Sequence, residues 1–195
     1  MNPVNDFAKV WLGGAKYALS ERLYGASWTI EVAAALSYYG ITLGPCKDMH
    51  DVVRIFRGRW FWVSDGFYAL WDTVKPPDHL LAEGGDDCDG MAMLHTQAMN
   101  AALGRYGWKA VTVSYLADPW WMSHHYTELM DPQGHYWAVQ PQPTKEQWDK
   151  DGEANQTVYG PYASPEETLA AVTSQYKAKA VWHDVRDGLY RPITI

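Results

Sequence analysis

The chain has 195 residues, enough for one domain with a sizeable core and short for two. It is 47% hydrophobic and 20% charged, an ordinary globular balance, and its formal net charge of −7 argues against nucleic acid as a main partner. Its aromatic side chains, 11 Trp and 13 Tyr against 4 Phe, suit surfaces where an apolar body meets a polar edge.

Residues 6–24 have helical spacing, and the segment lacks the basic start and unbroken apolar run of a signal peptide. A second helix is expected over 28–39, after Ser27 as N-cap, with Gly40 and then Gly44-Pro45 ending that region. The most apolar run, Val32 to Leu43, is too short and too interrupted to span a bilayer. The chain is therefore expected to be soluble and cytoplasmic, or assembled from the cytoplasm, with no membrane partner. Asp48 to Gly58 suits a short helix closed by its glycine. Residues 59–85 carry few regular signals and are expected to be mostly ordered loop. A helix runs from Asp89 to Gly104, and Trp108 to Leu116 alternates as a strand. Ser123–Met130 and His135–Pro141 flank Asp131-Pro132-Gln133-Gly134, a hairpin signal. Ser164 as N-cap, Pro165 behind it and acids in the first turn open a helix to Tyr176. Ala180 to Asp187 reads as a last strand. With no internal repeat, low-complexity segment or linker, the expectation is a single α+β domain, a helical front followed by a sheet.

The chemistry centres on Cys88, placed between Asp87 and Asp89 just after Gly84-Gly85. At a helix start, unpaired N–H groups and the dipole favour a thiolate, whereas carboxylates aimed at the sulfur oppose it. Cys88 is thus either a nucleophile or a small buried residue in an acidic turn. Two cysteines make no disulfide framework, so Cys46 and Cys88 are expected as thiols in a reducing compartment. Acyl transfer on a thiol needs a base within reach and a group that orients the base. The candidate bases, His124 and His125, point to opposite faces of a strand. A three-residue hairpin loop with a glycine bulge sets Tyr126 opposite Gln140 and gives His124 the same face as Gln140. A plain two-residue loop would place His125 across from Gln140 instead. The Gln140 carbonyl can fix a histidine tautomer but brings no charge.

The run Gly84-Gly85-Asp86-Asp87-Cys88-Asp89-Gly90, a helix, a strand, His124-x-Tyr126-x-Glu128 and then Tyr136 to Pro141 resembles the transglutaminase-like family. That family belongs to the papain-type cysteine-enzyme superfamily and includes bacterial transglutaminase-like cysteine peptidases. Its pattern is a G-D-C-D-D-like turn opening a helix, H-x-aromatic-x-E on a strand, and a Trp four residues before a catalytic Asp. The resemblance implies Cys88 as nucleophile and His124 as base, with Tyr136 on the Trp position and Gln140 where the family has Asp. Pro77, Leu81 and Gly84 resemble the approach to the cysteine, and Trp62-x-x-Asp65 an aromatic-x-x-Asp element. Asp86 replaces a glycine and Gly90 the second acid. The likeness covers about residues 50–141, leaving a helical N-terminal extension over 1–45 and a C-terminal helix and strand over 144–195. It implies a papain-like core whose central helix packs on an antiparallel sheet, and no cofactor. The oxyanion would be held by the Cys88 N–H and an upstream side chain, for which Trp71 is the candidate.

Plainer readings stand beside these. His125 reads as a surface or interface residue on the opposite face from His124. His95 lies seven residues beyond Cys88, about 10 Å along the helix axis, and reads as a satisfied core histidine. A calcium loop fails, because Gly85 and Thr96 would fall on ligand positions, and Cys46-x-x-x-His50 lacks a second pair for zinc. No metal is expected. The aromatic cluster from Trp60 to Trp71 suits core or rim, while Trp120 and Trp121 could wall a peptide groove. The leading expectation is a thiol-dependent amide-bond hydrolase or acyl transferase working through a thioester on a peptide or protein substrate. The second is a transglutaminase-like module without activity, binding within a larger assembly.

Overall fold

The structure, a computed structural model, describes residues 16–24, 31–63, 74–118, 122–141, 143–152, 157–187, 191 and 193. Three short helices lead: α1 (Lys16–Tyr24), α2 (Val32–Tyr38) and α3 (Met49–Phe56). Residues 28–30 of the second expected helix lie outside the described residues. α3 forms because Asp48 accepts the Asp51 N–H at 3.0 Å as N-cap, while Met49, Val52, Val53 and Phe56 turn one apolar stripe inward.

Residues 59–85 hold more order than the expected loop. β1 (Phe61–Trp62) is followed by α4 (Pro77–Glu83) and β2 (Gly85–Asp86), and β2 pairs in parallel with β1. Pro77 at the first helical position and Gly84 in the left-handed conformation (φ +86°) punctuate α4. At Gly85 the chain passes so near β1 that a Cβ would lie 1.9 Å from the Phe61 carbonyl oxygen, so only glycine fits.

α5 (Cys88–Leu103) then crosses the molecule and ends in a 3₁₀ turn, Gly104–Tyr106. After it come β3 (Lys109–Asp118), β4 (His124–Met130), β5 (Tyr136–Val139), α6 (Lys145–Asp151), β6 (Val158–Tyr162), α7 (Pro165–Gln175) and β7 (Lys179–Arg186). The five strands form one antiparallel sheet in the order β6-β5-β4-β3-β7. Neither α6 nor β6 was expected from the sequence. The architecture is α+β, with helices on both faces of the sheet. No helix among the described residues is long and apolar enough to cross a membrane.

The β4–β5 turn fixes the register. The Asp131 carboxylate accepts the Gln133 and His135 N–H groups, each at 2.9 Å, and Asp131 N–H donates to the His135 carbonyl at 2.9 Å. With Met130 opposite Tyr136 and Thr127 opposite Val139, Tyr126 and Gln140 face each other one step further on. This is the three-residue loop, and the two-residue alternative is not what forms.

α5 packs on one face of the sheet through a chain of buried hydroxyls. Thr127 Oγ1 donates to the Ala92 carbonyl at 2.8 Å, and Thr96 Oγ1 lies 2.8 Å from Thr112 Oγ1 and 3.2 Å from Thr127 Oγ1. Around them Leu94, Ala98, Met99 and Leu103 meet Leu129, Val139 and the apolar sides of α2, α3 and α4. His95 is buried on this helix as expected, but among the described residues neither ring nitrogen has a hydrogen-bond partner, so it is not satisfied there. The opposite face sets Val113, Tyr115, Tyr126 and Ala138 against Val172 of α7.

Candidate functional site

Asp87 is the N-cap of α5 and accepts the Asp89 N–H at 3.1 Å, which makes Cys88 the first residue of the helix. No disulfide joins it to Cys46, and Cys88 is half-buried whereas Cys46 is buried. A thiol at this position lies beside the positive end of the helix dipole. The acidic turn is held by Lys75, whose Nζ lies 3.0 Å from Glu83 Oε2 and 3.0 Å from Asp86 Oδ1. Burial pushes the Asp86 carboxyl up, helped by Asp89 and Asp87, while Lys75 pulls it down. Despite its own burial, Lys75 is held protonated, well above its ordinary range, by Asp86 and Glu83. Asp86 also fills the space beside Gly90: a Cβ there would lie 1.9 Å from Asp86 Oδ2. Asp86 and Gly90 therefore share one volume.

His124 opens β4, on the sheet face away from α5, and its Nε2 lies 2.7 Å from Gln140 Oε1. An amide oxygen only accepts, so Nε2 carries the hydrogen and Nδ1 presents its lone pair. Burial pushes the imidazole down to about 4, against the Gln140 hydrogen bond and the Asp87 charge, which raise it. Tyr176, just past α7, packs on the ring with centroids 5.0 Å apart and its hydroxyl 3.3 Å from Nε2. Tyr115 meets the ring edge-on at 6.2 Å.

Cys88 and both histidines lie at one end of the sheet. Thr127 holds the Ala92 carbonyl one helical turn beyond Cys88, and His124 and His125 precede Thr127 by three and two residues. Burial raises the Tyr115 and Tyr176 hydroxyls, in Tyr176 to about 12, and Cys88 lies near enough to both that an ionised thiol there adds to the rise. His124, Gln140 and the start of α5 are thus brought together. His125 takes the α5 face, where its Nδ1 lies 2.7 Å from Ser114 Oγ. At 2% exposure it is a buried residue, not the surface or interface residue expected.

A cavity of about 380 Å³ opens beside His124, lined by Trp62, Pro141, Pro143, Thr144, Gln147 and Tyr176. Among the described residues its walls are apolar, amide or hydroxyl groups and the His124 imidazole. Trp71, Trp120 and Trp121, the expected oxyanion and groove residues, lie outside the described residues. Sequence reasoning missed Tyr115, Tyr176 and the α6 wall. The wall had a signal, because Thr144-x-x-Gln147 is a capping box, with Thr144 Oγ1 accepting the Gln147 N–H at 3.2 Å. Among the described residues, Asp86, Asp87 and Asp89 bring three carboxylate oxygens within 4.8 Å of one another. Lys75 already neutralises the first and the helix start engages the second, so the cluster has a structural account. Compared with known proteins, the chain matches no family model, no curated protein and no solved structure.

Proposed function

We propose that the chain is a transglutaminase-like, thiol-dependent amide hydrolase or acyl transferase, with Cys88 as nucleophile, His124 as base and Gln140 as the group that orients the base. The Cys88 sulfur bonds to the substrate carbonyl carbon while the C–N bond breaks. The thiol proton passes to His124 Nδ1 and on to the leaving amine. Water or a second amine then attacks the thioester carbonyl, releasing the thiol as an acid or a new amide forms. The observation that carries this reading is the 2.7 Å His124–Gln140 contact. It turns Nδ1 away from Gln140, at the end of the sheet where α5 begins with Cys88. Burial holds the imidazole neutral and so able to take the thiol proton. The uncharged cavity beside His124 suits an uncharged side chain of a peptide substrate.

The test is the pH dependence of Cys88 alkylation in the folded chain, resolved from buried Cys46 by mass spectrometry, in wild type, His124→Ala and His125→Ala. Cys88 is expected to react well below the ordinary thiol pKa of about 8.5, with the profile displaced in His124→Ala alone. A thiol inert until unfolding, or unmoved by either substitution, would overturn the reading. Displacement by His125→Ala alone would move the base to His125, with Ser114 orienting it.

Two observations favour a binding module without activity. Tyr176 covers the His124 ring, and Gln140 brings no charge to stabilise an imidazolium. In that case Cys88 stays unreactive and His124 serves to anchor α7.

A further inference from the structure

A second cavity, about 440 Å³, lies further along the His124 face of β4, between the sheet and the start of α7. Its walls include the side chains of Val113, Leu169 and Val185, and Glu128 lies against it with only 3% of its surface exposed. A carboxylate this buried normally has a cation or several donors around it. Among the described residues, Glu128 takes one hydrogen bond, from the Tyr126 hydroxyl to Oε2 at a long 3.4 Å, and has no ion pair. The charged group that acts on it adds negative charge. Glu166, exposed on the first turn of α7, lines the same cavity, and it raises Glu128 further above the push from burial, to about 7. Arg186 of β7 is paired with Asp184. His183 also lines the cavity, and its interaction is with Glu166.

We propose that this cavity binds a primary alkylammonium, with Glu128 at the floor receiving the ammonium, the apolar walls taking the alkyl chain, and Glu166 at the mouth facing a second positive charge. A metal ion fits less well, because Glu128 belongs to no group of three carboxylate, imidazole or thiolate ligands among the described residues. The same chemistry is offered by a free α,ω-diamine and by a lysine side chain of a protein. The proposal does not rest on activity at Cys88.

The test is calorimetric titration of the full chain with 1,4-diaminobutane, with Nα-acetyl-lysine amide and with butane-1,4-diol as the uncharged control. Saturable binding of an amine but not of the diol is expected. Glu128→Gln should weaken it roughly tenfold or more, as loss of a charge-assisted contact does, and Glu166→Gln by a smaller factor. Tighter binding of the diamine would identify a free polyamine as the source, and tighter binding of the lysine amide a protein side chain. Should Glu128→Gln fail to fold, the exposed Glu166→Gln variant and the Glu128 carboxyl ¹³C shift in wild type carry the test. An amine must move that shift toward the ionised value. No saturable binding of either amine, or binding that both substitutions leave unchanged, would overturn the proposal.

Discussion

His95 sits wholly inside the α5 side of the core, edge-on to Phe56 with ring centroids 5.0 Å apart, and among the described residues neither of its nitrogens has a partner. Burial pushes its pKa down to about 4, so the fold holds the ring neutral. The unfolded chain protonates it near its ordinary 6.5, so the stability this neutral ring contributes is complete above that pH and is lost as pH falls toward 4. Urea unfolding at pH 7 and pH 4.5 should show wild type losing about 2 kcal/mol more than His95→Met. Equal losses would mean that the ring finds a partner. His124 is depressed similarly, but its neighbour can be changed. Gln140→Glu would set a carboxylate against Nε2 and raise the imidazole by about one to two pKa units, read from its ring proton shifts by NMR. If the titration does not move, the 2.7 Å contact is absent in solution.

At the scale of elements, the turn into α5 shows how two positions share one volume. Asp86 reaches into the space that a side chain at 90 would need, and Lys75 holds it there. Gly90→Asp should therefore destabilise by several kcal/mol, through the clash and a second buried carboxylate. Asp86→Gly strips Lys75 of one of its two partners. The exchanged pair, Asp86→Gly with Gly90→Asp, should be more stable than the sum of the single changes allows by about 1–3 kcal/mol. Additive losses in a denaturation cycle would reject the shared-volume account. The same scale explains what the sequence could reveal. α3, α5, α7 and the β4–β5 turn were legible because their caps, prolines and glycines are themselves the local physics that forms them. α4 and α6 are seven-residue helices, too short for periodicity to outweigh surrounding aromatics and prolines. The His124–Gln140 face was legible through the turn, since a loop length fixes a register. Tyr176 was not, because it meets His124 across 52 residues of chain and no local pattern encodes that contact.

For the whole molecule, β7 is the element on which the rest depends. It pairs with β3 from Thr112–Arg186 to Asp118–Lys179, and β3 in turn carries Val113 and Tyr115 into the core against α7. A chain ending at Gln175 would keep every other described strand, but it would leave β3 as a bare edge. Such a chain should lose its sharp thermal transition and its near-ultraviolet dichroism while keeping helical signal in the far ultraviolet. A cooperative transition in the truncated chain would show that β7 is dispensable.

The pairing of β3 with β7 also has a consequence in time. About sixty residues separate the end of β3 from the start of β7. A ribosome adding roughly 5–20 residues per second spends on the order of several seconds between them. For most of that interval β3 and then β4 are made while the β3 edge stays unpaired, next to apolar residues that α7 has yet to cover. The hazard to this protein at birth is therefore set by the pace of translation and by what shields that edge meanwhile, rather than by the stability of the finished fold.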